Sequence, residues 1–348
     1  MALRKTPHSR PQILELSPAA AIPGGEITIR GQHFAGSEHP VVRFGEMPVP
    51  LVVGSDRLVI ARVPEVFAPG RQDYTELTVG SNGSTSEPFP CAVGTQIADG
   101  VHPVGNPAVD GDGNVYATLS GSRGQKTPVS VYRIDPHTQK STALVSDITN
   151  ATGLAHDRDG LLHVSSRHEG NVYRVTVAGN YSVFVEGMGV ATGIAFDPQS
   201  NLYVGDRSGT IFKVSPERQI YVFATLESSI AAYHLAFGPD QYLYVTGPTT
   251  SGYDVVQRIS PAGEVELFYR GLGRPQGLAF DAAGNLYVAA SLAGRRGVVR
   301  ITPQREASLF LAGSGIVGLA FAPGRDLIVA THSVLFRVHV GVEGRRLP

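Results

Sequence analysis

Tryptophan is absent from the 348 residues, cysteine occurs once, as Cys91, and lysine occurs only as Lys5, Lys126, Lys140 and Lys213. A single cysteine excludes an internal disulfide and any structural zinc site built on several thiolates. Scarce lysine leaves arginine as nearly the whole basic complement, which reads as genome composition rather than arginine-based recognition. No apolar run approaches the roughly 18 residues of a membrane-spanning helix, so no membrane span is expected. Net charge is nearly missing too: 29 basic against 30 acidic residues give −1. That balance offers no field for nucleic acid or an acidic membrane, and no basic stripe interleaves with aromatics, so no nucleic-acid partner is expected. Met1 to Arg10 is basic and polar, without the apolar stretch of a secretory leader. A cytoplasmic location is therefore the default expectation.

Glycine (41 residues) and proline (24) are abundant, about 19% of the chain against roughly 12% on average. With 42% hydrophobic and 17% charged residues, the excess points to many turns in a folded protein, not to disorder. The turns recur. Gly105–Thr118 reads GNPAVDGDGNVYAT, Thr152–Ser166 TGLAHDRDGLLHVSS, and Thr192–Asp206 TGIAFDPQSNLYVGD. Tyr233–Gly247 reads YHLAFGPDQYLYVTG, Gln276–Ala290 QGLAFDAAGNLYVAA, and Val317–Thr331 VGLAFAPGRDLIVAT. Equivalent positions are Asp110, Asp157, Asp197, Gly238, Asp281 and Ala322, at intervals of 47, 40, 41, 43 and 41 residues. Such a period with strand-like segments predicts an all-β propeller of six blades, each of four short strands a to d. An open blade edge exposes unpaired backbone groups. Residues 92–98 are therefore expected to supply the outer strand of the last blade, and 1–10 and 341–348 to be tails.

Upstream, residues 11–91 contain short alternating strands separated by Pro-Gly and Gly turns, as a small immunoglobulin-like sandwich requires. The segments Pro11–Pro18, Gly24–Phe34, Val41–Gly45 and Thr75–Gly80 resemble an IPT/TIG domain. The GLAFD…GNLYV pattern over residues 92–340 resembles NHL-type repeats and, more broadly, six-bladed propellers of the gluconolactonase and senescence-marker-protein superfamily. This second resemblance implies a ligand site on the face where strand a begins and strand b ends. In the enzymes of that superfamily, acids and amides at those starts hold a divalent cation. Here the corresponding positions read Gly105-Asn106-Pro107, Thr152-Gly153, Thr192-Gly193, Tyr233-His234 and Pro275-Gln276-Gly277. No carboxylate stands among them, whereas a hard cation wants oxygen ligands that include negative charge. Metal-dependent ester hydrolysis is accordingly not expected.

Several motif-like strings lack their structural context. Gly313–Gly318 satisfies G-x-G-x-x-G but precedes a strand, so no helix N-terminus awaits a phosphate. Asp110–Asn114 begins like a calcium loop but lacks its later glycine and bidentate acid. His156 and His163 occupy slots held by Phe and Tyr in other repeats; two rings replacing two rings is the plainer reading, a buried proton or metal pair the sharper one. Asp206 and Arg207 are expected to pair on their hairpin.

Thr152, Arg167, Thr192, Asp206, Arg207, Tyr233, His234, Gln276 and His332 are the candidate ligand-binding set on that face. His234 stands out because most other repeats carry glycine there. The function expected is non-enzymatic recognition of a small polar ligand, a peptide or a protein, with no cofactor. The alternative is a divergent propeller hydrolase or lyase with calcium or zinc at the propeller mouth. A purely architectural role is the third possibility.

Overall fold

The structure, a computed structural model, describes residues 9–36, 39–65 and 74–345. Among them every regular element is a β-strand, and no helix is long and apolar enough to cross a membrane. The chain divides into two units: the first ends at Thr95 and includes Leu309–Ser314, and the second holds the rest.

In the first unit, one sheet orders the strands Gln12–Ser17, Glu26–Gln32, Leu58–Arg62 and Leu51–Gly54. A second sheet carries Ala20–Ala21, Phe89–Val93, Thr75–Ser81, Val41–Phe44 and Met47–Val49. Alternation sends Ile27, Ile29, Val42, Phe44, Val59, Leu77 and Val79 inward, around Phe34 and Cys91. Burial pushes the Cys91 thiol up to about 12, so it packs as a small apolar group rather than a nucleophile. Gly31 is required sterically: a Cβ there would lie 2.0 Å from the Gln12 carbonyl oxygen and 2.3 Å from the Phe34 ring.

In the second unit five of the sequence repeats form separate four-stranded sheets, while the strands of the repeat at 276–290 belong to a larger sheet. Ala151–His156, Leu162–Ser166, Asn171–Val175 and Tyr181–Val185 form one, in chain order and antiparallel. The next is Ala191–Phe196, Leu202–Asp206, Thr210–Val214 and Ile220–Thr225. First strands of successive sheets touch: Ala108–Val109 meets Ala151–His156, which meets Ala191–Phe196, then His234–Phe237, Leu278–Phe280 and Ile316–Ala322. The last returns to Ala108–Val109. Sheets arranged in this way have the architecture of a β-propeller.

The sheet of the final repeat orders Thr95–Asp99, Val334–His339, Asp326–Thr331 and Ile316–Ala322. The outer strand drawn from sequence at 92–98 is thus displaced. Ala92 and Val93 pair with Ala20 and Ala21 in the sandwich, and the strand of the last sheet begins only at Thr95. Composition could not locate the switch, because short strand-like segments, Phe89–Val93 and Thr95–Asp99, flank Gly94 on both sides.

The repeat pattern is turn and packing chemistry. The Asp197 carboxylate accepts from the Gln199 and Asn201 amides, the Asn201 side chain at 2.8 Å and the Tyr203 hydroxyl at 3.2 Å. Asp110 with Asn114 and Tyr116, and Asp281 with Asn285 and Tyr287, repeat that arrangement. The same tyrosine ring then meets, edge to face, the phenylalanine ending the next sheet's first strand. Tyr203 lies 5.0 Å from Phe237, Tyr244 4.8 Å from Phe280, and Tyr287 5.1 Å from Phe321. His156 and His163 are members of this series: Tyr116 stacks on His156 at 5.1 Å, and His163 on Phe196 at 4.8 Å.

Candidate functional site

Because the first strands are short and apolar, they pack side by side and enclose a cavity of about 980 Å³. Their leucines, such as Leu235 and Leu319, are buried, while Ala155, Ala236, Ala279 and Ala320 keep partial exposure along its wall. Pairing registers define its two ends. At one, strand starts meet the ends of second strands, as Ala151 opposite Ser166, Ala191 opposite Asp206 and His234 opposite Thr246. At the other lie the turns that carry Asp110 and Asp157.

Glycines let the strands converge at the first end. A Cβ on Gly153 would lie 2.3 Å from the Thr192 carbonyl oxygen, and one on Gly193 2.3 Å from that of Tyr233. A Cβ on Gly318 would likewise lie 2.4 Å from the Gly105 carbonyl oxygen. His234 occupies the equivalent position as an imidazole and is 3% exposed. Burial alone depresses it to about 4, with no charged or hydrogen-bonded neighbour acting on it. Its ring is therefore neutral at physiological pH.

The other candidates are distributed as follows. Thr152 and Tyr233 line the cavity with His234. The Thr152 hydroxyl donates to the Asn150 carbonyl at 2.9 Å, and the Tyr233 hydroxyl to the Glu227 carbonyl. Burial, with Glu227 and Asp206 nearby, pushes the Tyr233 phenol up to about 12. Thr192 is buried between strands, donating to the Gly205 carbonyl at 2.8 Å and accepting the Tyr233 amide at 3.2 Å. Asp206 accepts the Val190 amide at 2.8 Å and the Ser208 hydroxyl. Arg207 donates to the Ser229 carbonyl at 3.2 Å, so the ion pair expected between these two is replaced by separate loop contacts. Each finds a backbone partner in a neighbouring loop, Val190 for Asp206 and Ser229 for Arg207. Arg167 donates to the Gly121 carbonyl at 3.0 Å, and burial lowers its pKa, assisted by Arg207. Gln276 is half-buried, and its carbonyl accepts the Thr246 hydroxyl. His332 is exposed, its carbonyl 3.0 Å from His102 Nδ1. Arg167, Thr192, Asp206, Arg207, Gln276 and His332 stand off the cavity wall.

Asn106, Asn150 and Arg345 carry more of this region than their sequence context suggested. Asn106 donates to the Leu278 carbonyl at 2.9 Å and accepts the Leu319 amide at 3.2 Å, stitching two first strands together. Asn150 is buried and holds the Gly121–Gly124 loop through three hydrogen bonds. At the turn end, residues 343–345, expected to be tail, bind the turns. Ala282 donates to the Glu343 carbonyl at 2.9 Å, the Arg345 amide to that of Phe280 at 3.0 Å, and its guanidinium to that of Phe237 at 3.2 Å. Polar residues form this contact through backbone groups, which leave no apolar signal in sequence. Asp110 also lies at this end. Burial opposes its ionisation, but hydrogen bonds from Asn114 and Tyr116 outweigh that and hold the carboxyl below its ordinary range.

A divalent cation does not fit at the strand starts. Both polar atoms of the Asn106 amide are engaged by backbone groups, and the remaining positions supply hydroxyls, an imidazole and an amide but no carboxylate. Among the described residues no three His, Cys, Asp or Glu side chains gather as a metal site would require. His163 Nδ1 contacts the Leu161 carbonyl at 3.3 Å and Asp157 at 3.8 Å, and burial depresses its pKa.

Residues 11–90 match the family model of the IPT/TIG domain. The sandwich is an IPT/TIG domain. No curated protein matches the chain. Solved structures that resemble it include an auxiliary nutrient binding protein from Bacteroides thetaiotaomicron, 13% identical, covering 95% of this chain and 98% of that one with TM-score 0.56. Its counterpart from Bacteroides ovatus is 12% identical, covers 95% and 98%, and has TM-score 0.54. A gluconolactonase from Xanthomonas campestris is 15% identical over 71% of this chain and 89% of that one, TM-score 0.60. At such identities the likeness is one of fold: beyond the IPT/TIG domain, the chain has a gluconolactonase-like, propeller-type all-β fold.

Proposed function

We propose that the chain is a non-enzymatic binding protein whose second unit, a six-bladed propeller, takes a small molecule at the strand-start end of its channel. Six blades are supported by the six sequence repeats and by the cyclic contacts among first strands. The observation that carries the binding reading is the cavity of about 980 Å³ with Thr152, Tyr233 and His234 on its wall and no carboxylate at the strand starts. Fold likeness to nutrient binding proteins over nearly the whole chain supports it further. Thr152, Tyr233 and His234 form the inner contacts in this reading, and Arg167, Thr192, Asp206, Arg207, Gln276 and His332 shape the surrounding loops.

A second reading, a divergent hydrolase or lyase using calcium or zinc, is favoured by the likeness to the gluconolactonase. Elemental analysis of the purified full chain, with a lactone hydrolysis assay in added calcium or zinc, separates the two. Thermal-shift screening against small metabolites should give stabilising ligands without turnover. Stoichiometric metal together with lactone turnover would reverse the assignment.

A further inference from the structure

Among the polar side chains on the cavity wall at the strand-start end, one is not used by the fold itself. The Thr152 and Tyr233 hydroxyls each donate to a backbone carbonyl, and both atoms of the Asn106 amide are engaged. The His234 imidazole, 3% exposed, lines the cavity with no hydrogen bond to any described residue. Buried polar groups are normally satisfied, and a ring left without a protein partner beside a cavity is a position that a bound group can fill. The other repeats with glycine at this position show that the fold has no steric need for an imidazole there.

We propose that the channel takes an uncharged, largely apolar small molecule whose hydroxyl, carbonyl or amide group hydrogen-bonds to the His234 imidazole. This rests on the channel being the binding site. The charge argument follows from the wall. An anion would need a protonated imidazole, and burial keeps this one neutral. A cation would need a carboxylate, and at this end Asp206 accepts from Val190 and Ser208 and stands off the wall. Charged groups that line the cavity, Asp110, Asp157, Arg158, Arg325, Glu343 and Arg345, lie at the turn end, away from the strand starts that carry His234. An unpaired charge between alanine methyls would be strongly disfavoured. A neutral imidazole can donate or accept, so it suits either an acceptor or a donor on the ligand.

Three probes of one shape test this with the full chain: naphthalene, 2-naphthol and 2-naphthoate. Binding is read by probe fluorescence and by the imidazole resonances of ¹⁵N-histidine-labelled protein. The expected result is that 2-naphthol shifts the His234 resonance and binds about tenfold more tightly than naphthalene. The naphthoate should bind at least about a hundredfold more weakly than 2-naphthol. His234→Gly, which installs the residue found in other repeats, should bring 2-naphthol down to the naphthalene level. His234→Gln, which keeps a donor and an acceptor, should restore part of the difference. If naphthalene and 2-naphthol bind equally, if the naphthoate binds best, or if His234→Gly changes nothing, the role of His234 is wrong while the channel still binds. If no probe shifts the His234 resonance, both the ligand class and the channel reading fail.

Discussion

The two ends of the channel are built on opposite principles. At the turn end, side chains repeat from sheet to sheet and each has a partner: Asp110, Asp197 and Asp281 cap their turns, and Glu343 and Arg345 close hydrogen bonds with turn backbone. At the strand-start end the repeat is one of absence, glycine after glycine, interrupted by Asn106, whose amide is engaged by backbone groups, and by His234. The turn end, His163 Nε2 excepted, is satisfied internally and so belongs to folding. The strand-start end leaves one buried ring without a partner and is where recognition can reside.

The sharpest way to break this contrast is to fill the glycine positions. Gly193→Ala places a methyl 2.3 Å from the Tyr233 carbonyl oxygen, and the contact is with backbone, so two strands must separate. We expect a loss of about 3 kcal/mol or more, read by urea unfolding. Gly160→Ala, on a turn with φ of 77° and open space around it, should cost only about 1–2 kcal/mol, the penalty of the left-handed conformation. Equal losses at both positions would mean that strand convergence is not the constraint.

Acidification should also separate the ends. His234 is held near 4 in the fold against 6.5 ordinarily. As pH falls below 6.5 the unfolded chain takes up a proton that the folded chain refuses, so stability is lost between about pH 6.5 and 4 and is fully present above that window. The loss attributable to this ring is up to roughly 3 kcal/mol. At the turn end, Asp110 is depressed below 3.8, so its contribution fades only at still lower pH. Comparing the pH profiles of the wild-type protein and His234→Gly isolates the ring: the variant should have the flatter slope above pH 4. Parallel profiles would contradict the buried neutral imidazole.

Much of the fold was legible because its signals are local. Asp, Gly and Asn at fixed offsets are turn chemistry, and the Phe and Tyr slots form the edge-to-face series linking one sheet to the next. His234 could be singled out for the same reason, as a departure from an aligned glycine. What sequence could not supply was direction. Arg167, Asp206 and Arg207 stand at strand ends near the cavity wall, yet their side chains turn into neighbouring loops toward backbone groups that no pattern announces. The contacts of Glu343 and Arg345 were hidden likewise, being made mainly through amides and carbonyls.

Ending the chain at Val340 tests the turn end directly. It removes the bonds from Ala282 to Glu343 and from Arg345 to Phe280 and Phe237, each worth about 1 kcal/mol net, against the entropy of ordering the tail. A loss of about 1–2 kcal/mol is expected, with faster hydrogen exchange at the Ala282 amide. The pH slope due to His234 should be unchanged. A changed slope would show that the two ends are not independent.

The smallest expected effect is a gain. His163 stands where Tyr203 and Tyr287 stand in other repeats, but its Nε2 is buried without a partner, and an orphaned polar atom is costly. His163→Tyr removes that atom and extends a hydroxyl toward Asp157, as Tyr203 reaches Asp197 at 3.2 Å. The larger ring keeps the edge-to-face contacts with Phe184 and Phe196, now 4.8 Å from the imidazole in each case. We expect stabilisation of about 1 kcal/mol at pH 7 and a larger gain at pH 5, where the unfolded imidazole is protonated and burial resists charging the folded one. A variant less stable than wild type at both pH values would mean that the surrounding side chains have adapted to the smaller ring, and that this repeat, like the one carrying His234, departs from the pattern for a reason other than turn chemistry.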